Sequence, residues 1–125
     1  MWLSLRTPEW IVHYEREKIM RDEIINGIVS GLNLPPAIAL KLMNKYLETL
    51  PNDIEQLKGD VSREDFSAAA KMAHSIKGAS GNLRITKIFE LASELEQIFK
   101  APQDGAREKA DALIGELDEI MKKLV

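Results

Sequence analysis

A chain of 125 residues has the length of one domain, and 45% apolar against 30% charged residues is the balance of a folded globular protein, not a disordered tail. The formal charge of −3, with basic residues scattered among acidic ones, provides no field to attract nucleic acid or an anionic membrane. There is no cysteine, which excludes disulfides, thiolate metal sites and cysteine nucleophiles and suits a reducing compartment.

The opening Met1-Trp2-Leu3-Ser4-Leu5-Arg6 is interrupted too soon to be a secretory leader. No stretch approaches the ~20 apolar residues of a membrane span, so a soluble, cytoplasmic protein is expected. Every readable segment has helical period, and none alternates as a strand does. Thr7-Pro8-Glu9 is a helix start: a capping hydroxyl, proline at the first helical position, an acid in the first turn. The apolar residues that follow (Trp10, Tyr14, Ile24, Ile25, Ile28) are loosely spaced. A first helix broken or frayed near Arg21 is therefore expected, weakened further by Gly27 and Gly31.

A second helix begins at Pro35-Pro36. Met43, Tyr46, Leu47, Leu50, Ile54 and Leu57 share one face, Pro51 should kink or divide it, and Lys58-Gly59 reads as its stop. Ser62 reads as the cap of a third helix, with Glu64 and Asp65 in its first turn and a stripe of Phe66, Ala69, Ala70, Ala73, Ile76 and Leu83. After a bend at Arg84 to Thr86, a fourth helix carries Ile88, Leu91, Ala92, Leu95 and Phe99 and ends before Pro102. Asp104 is the expected cap of a fifth, striped by Ala110, Leu113, Leu117, Ile120 and Leu124. Short connections favour antiparallel neighbours. The fold expected is all-α: an up-down four-helix bundle over residues 35–125, with an N-terminal helix and loop (1–34) packed on it or linking to it.

On the third helix, at 100° per residue, His74 lies roughly 120° from the centre of the apolar stripe, on the flank that meets solvent. Lys77 and Gly78 are its neighbours one turn on, and Gly81 lies two turns on. Each glycine costs a helix interior about 1 kcal/mol against alanine, so two of them need a reason. Cleared surface beside an imidazole admits a bulky group or another protein's active site. A neutral imidazole is nucleophilic at cytoplasmic pH, and phosphorylation adds about two negative charges that a nearby ammonium can offset. Exposed histidine, adjacent lysine and bare helix surface together suit a phosphoryl acceptor. His74 lies about ten residues before the helix 3–4 bend and Glu96 about eleven after it, so the hairpin brings them level. A carboxylate there could accept the Nδ1–H, fix the tautomer and leave Nε2 as nucleophile.

The run Ala73-His74-Ser75-Ile76-Lys77-Gly78-Ala79-Ser80-Gly81-Asn82-Leu83 resembles the HxxKG signature of histidine-containing phosphotransfer (HPt) domains, with the matching region extending from about Leu40 to Phe99. The resemblance implies a four-helix bundle whose histidine takes a phosphoryl group from a receiver-domain aspartyl phosphate, or from a kinase ATP-binding domain, and passes it on. It makes His74 the phosphorylated residue, Lys77 its charge partner and Gly78 the residue that keeps the ring accessible. Leu95-Glu96 is similar to the family's Leu-Glu pair on the following helix. Lys71, Ser75 and Gly81 become candidates for partner contact. One departure is Arg84, which stands where many members have a glycine in the bend.

Such a module is a carrier, not a self-sufficient enzyme. There is no Gly-rich phosphate loop for ATP, and Mg²⁺ is expected on the partner receiver, not on this chain. A monomer without bound cofactor or metal is expected. A histidine-independent helical adaptor is the alternative, and a dimeric kinase core fits poorly because Ser75 stands where an acidic residue normally follows the histidine. His13, in a polar stretch, reads as solvated. The five methionines read as core filler.

Overall fold

A computed structural model describes residues 8–125, which form five α-helices and, among the described residues, no strand. The helices are α1 (Glu9–Gly31), α2 (Pro36–Ser62), α3 (Phe66–Asn82), α4 (Thr86–Lys100) and α5 (Ala106–Leu124). Successive helices α2 to α5 pack on one another, α5 closes the ring against α2, and α1 lies on α2 and α5. This is the up-down bundle with an added N-terminal helix that the apolar periodicity predicts. The expected cap Thr7 lies outside the described residues.

The inward stripes supply a single core. Met43, Leu50, Ile54 and Leu57 of α2, Ala69, Ala73 and Ile76 of α3, Ile88, Ala92 and Leu95 of α4, and Ala110 and Leu117 of α5 are essentially inaccessible to water. Ile114, outside the expected α5 stripe, is buried too, whereas Leu113 and Ile120 are only partly so. The rings of Phe66 and Phe99 stack with centroids 5.9 Å apart, tying the start of α3 to the end of α4. Between α2 and α3, the Tyr46 and Ser80 hydroxyls bond at 2.7 Å inside the core. Burial pushes the Tyr46 phenol up to about 12, further than its Ser80 bond draws it down, with the Asp53 charge adding to the rise. Tyr46 therefore keeps its proton at any ordinary pH.

Several local expectations are corrected. Helix α1 is unbroken through Arg21, and Pro8 stands just outside it with extended ψ rather than in its first turn. Ile25, Ile28 and Val29 pack on the bundle, while Trp10 and Tyr14 are exposed. Pro51 does not divide α2, because Leu50 and Ile54 anchor it in the core on either side of the lost hydrogen bond. Gly59 is not a stop, since α2 continues to Ser62, so Ser62 cannot cap α3. Asp65 does so, accepting the Ala68 N–H at 3.1 Å. Asp104 does not cap α5, which starts from Gly105 in the left-handed region at φ 80°.

Both ends of α3 are set by the same device. At the end of α2 the N–H groups of Asp65 and Glu64 bond the carbonyls of Asp60 and Val61. At the end of α3 those of Ile85 and Arg84 bond the carbonyls of Ser80 and Gly81. Each is a Schellman closure, which requires one residue in the left-handed region, normally glycine. Here Glu64 (φ 55°) and Arg84 (φ 59°) occupy those places. The departure noted at Arg84 leaves the hairpin geometry intact and puts the strain on a residue with a Cβ.

Candidate functional site

The small residues along α3 decide how the site forms. Ala69, Ala70 and Ala73 are buried on α3, and Ala92 on α4. Such short side chains let the two backbones approach closely, and the α3–α4 pairing is the most extensive in the bundle. At the middle of that hairpin, His74 Nδ1 and Glu96 Oε2 stand 2.7 Å apart. The imidazole is 71% exposed while the carboxylate that holds it is 6% exposed.

Glu96 is the hub. Its Oε1 accepts from the Lys77 ammonium at 3.3 Å, and its Oε2 lies 3.1 Å from the Lys100 ammonium. Burial alone would raise its pKa, but the hydrogen bonds from Lys100, His74 and Lys77 reverse that and hold it at about 2. An ionised carboxylate has only lone pairs to offer, so it accepts from Nδ1–H. The neutral ring then carries its free lone pair on Nε2, at the side away from Glu96. Two lysines against one carboxylate leave the cluster with one positive charge in surplus.

The glycines separate by role. A Cβ built on Gly78 meets nothing within 4 Å, so neither packing nor backbone conformation requires glycine there. A Cβ on Gly81 would lie 3.1 Å from Phe89 Cδ2, which makes Gly81 a packing glycine. The Phe89 ring it accommodates lies 5.8 Å below the Lys77 ammonium and supports that side chain beside Glu96. Lys71 and Ser75 are exposed on α3, one turn before His74 and immediately after it. The hairpin thus brings together His74, Lys77, Gly78 and Glu96. Lys71 and Ser75 stay at its margin, and Gly81 serves the packing of Phe89. Sequence reasoning missed Lys100 and Phe89. The first was legible as the i+4 partner of Glu96 on one helix face; the second had no signal beyond an apolar residue off the stripe.

Between α2 and the C-terminal part of α3, a recess of about 340 Å³ is lined by Leu34, Leu42, Tyr46, Ala79 and Leu83, among others. Among the described residues no group of acids and histidines could hold a metal ion, and no helix is long and apolar enough to cross a membrane.

The family model of the Hpt domain matches residues 41–125, from early α2 to the end of the chain and through the whole bundle. The chain belongs to the Hpt domain family. This Hpt domain is also similar to the phosphotransferase RcsD of Escherichia coli (strain K12), with 28% identity over 123 residues. The match covers 98% of this chain but 14% of RcsD, so the Hpt domain here spans about a seventh of that relative's length. No solved structure matches the chain. Histidine phosphotransfer in a phosphorelay is accordingly the activity class of the domain.

Proposed function

We propose that His74 accepts a phosphoryl group on Nε2 from a receiver-domain aspartyl phosphate or a kinase domain and passes it on to a second partner. The observation that carries this reading is the paired exposure and burial at one contact: an open imidazole whose Nδ1 is tied to a buried, ionised Glu96. The Nε2 lone pair attacks phosphorus, the P–O bond to the donor carboxylate breaks, and the Nδ1 proton stays where it is. No proton has to leave the site for the step to proceed.

Lys77 offsets the charge of the phosphoryl group that arrives. Gly78 supports the reading by its cost: a helix position open on all sides gives up about 1 kcal/mol relative to alanine, with no return in packing. Its return is access for the partner. The partner receiver is the natural source of the Mg²⁺ that this chemistry uses, and the apolar recess between α2 and α3 offers that partner a place to rest. A carrier of this kind works as a monomer in the cytoplasm and is not itself a complete enzyme. A longer signalling protein that contains this domain would carry the same site.

The test is transfer from a ³²P-labelled phosphoreceiver. The wild-type chain should take up label that is lost in mild acid and survives alkali, as a phosphoramidate does. His74→Gln should take up none while keeping its helical circular dichroism. Undiminished label on His74→Gln would remove the assignment.

A further inference from the structure

The arrangement around Glu96 bears on how readily the phosphoryl group leaves, a property distinct from where it attaches. Once Nε2 carries phosphorus, the ring exists in two forms. With Nδ1 protonated it is an imidazolium, and breaking the P–N bond returns the electron pair to Nε2 and releases a neutral imidazole. With Nδ1 deprotonated the leaving group would be an imidazolate, which is far poorer. Control of the Nδ1 proton is therefore control of transfer potential.

The charged side chains that contact His74 or its carboxylate partner come from two helices: Lys77 of α3, and Glu96 and Lys100 of α4. Only Glu96 is negative. It sits 2.7 Å from Nδ1, is nearly sealed from water, and shares its two oxygens with the Lys77 and Lys100 ammonium groups. Each lysine resting on Glu96 draws on the same negative charge that would hold an imidazolium. An arriving phosphoryl group, with about two negative charges, competes for Lys77. As Lys77 turns towards it, Glu96 is left to stabilise the ring cation with Lys100 still resting on it.

We propose that Glu96 is a positioning residue that keeps phosphorylated His74 in its labile, Nδ1-protonated form, and that Lys100, resting on the same carboxylate, moderates its grip. This rests on His74 being the phosphoacceptor. The group is thereby poised for onward donation and has a short intrinsic lifetime. A neutral amide at position 96 would keep the geometry and lose the hold on the proton.

The experiment measures the lifetime of the phosphorylated full chain against pH, by ³¹P NMR, for the wild type, Glu96→Gln and Lys100→Met. The lifetime lengthens as the ring loses its proton, so each profile has a midpoint. Removing the single facing carboxylate should lower that midpoint by at least about one pH unit and lengthen the lifetime several-fold near neutrality. Glu96→Asp should restore part of the shift. Lys100→Met removes a competing cation and should move the midpoint the other way. Identical midpoints for wild type and Glu96→Gln would overturn the proposal, as would a downward shift in Lys100→Met equal to that of Glu96→Gln, which would mean a disturbed helix instead of a charge effect. Failure of the wild type itself to be labelled on His74 would instead remove the phosphoacceptor reading, and this proposal with it.

Discussion

At the scale of single residues, the structure separates what the fold needs from what the site needs. Arg84 serves neither well. Its left-handed backbone closes the α3 terminus, and its Cβ opposes that conformation. Left-handed strain of about 1–2 kcal/mol, less the extra backbone entropy that glycine loses on folding, gives an expected gain of roughly 0.5–1 kcal/mol for Arg84→Gly. Urea unfolding should show a higher midpoint at unchanged slope, with phosphotransfer unaffected. An unchanged or lowered midpoint would show that the Arg84 side chain makes a compensating contact. Glu64, in the equivalent place before α3, carries the same kind of strain. Asp60 is a further cost: its Oδ1 is held by Arg63 at 2.7 Å, but its Oδ2 is buried with no hydrogen-bond partner among the described residues.

At the scale of helices, the apolar stripes of α2 to α5 were legible because burial on one face leaves a 3.6-residue period in the sequence. So was the level pairing of His74 with Glu96, which follows from counting residues on either side of the bend. The helix ends were less legible. Ser62, Gly59 and Asp104 have the residue types of caps and stops, yet the chain closes its turns by backbone bonds centred on Glu64 and Arg84, residues that carry no turn signal. The unbroken α1 was hidden because, among its described residues, those packed on the core are Ile25, Ile28 and Val29 near the C-terminal end. The two α3 glycines look alike in sequence and differ in surroundings, and this gives a prediction. Gly78→Ala should stabilise the domain by about 1 kcal/mol, the ordinary helix preference for alanine. Gly81→Ala should gain less or lose stability, because Phe89 must yield. Equal gains in chemical denaturation would contradict the packing role of Gly81.

At the scale of the whole molecule, the bundle is a rigid frame that buries one carboxylate beneath an open ring and surrounds it with two ammonium groups. This has a consequence for acid stability. Glu96 is held at about 2, below its ordinary 4.5, so its contribution to folding is complete above about pH 4.5 and is lost as pH falls towards 2. Urea-unfolding free energies measured between pH 6 and pH 2 should fall more steeply for the wild type than for Glu96→Gln. Parallel curves would show that Glu96 is not held ionised by its three partners.

The chemistry proposed for His74 depends on which of its ring nitrogens is free. With the ionised Glu96 at Nδ1, the proposed phosphoacceptor role of His74 leaves Nε2 as the nitrogen that takes the phosphoryl group. The ¹⁵N–³¹P couplings of the phosphorylated, ¹⁵N-histidine-labelled chain read this directly. The structure predicts phosphorus bonded to Nε2 of His74; phosphorus on Nδ1, or on any other residue, would contradict it.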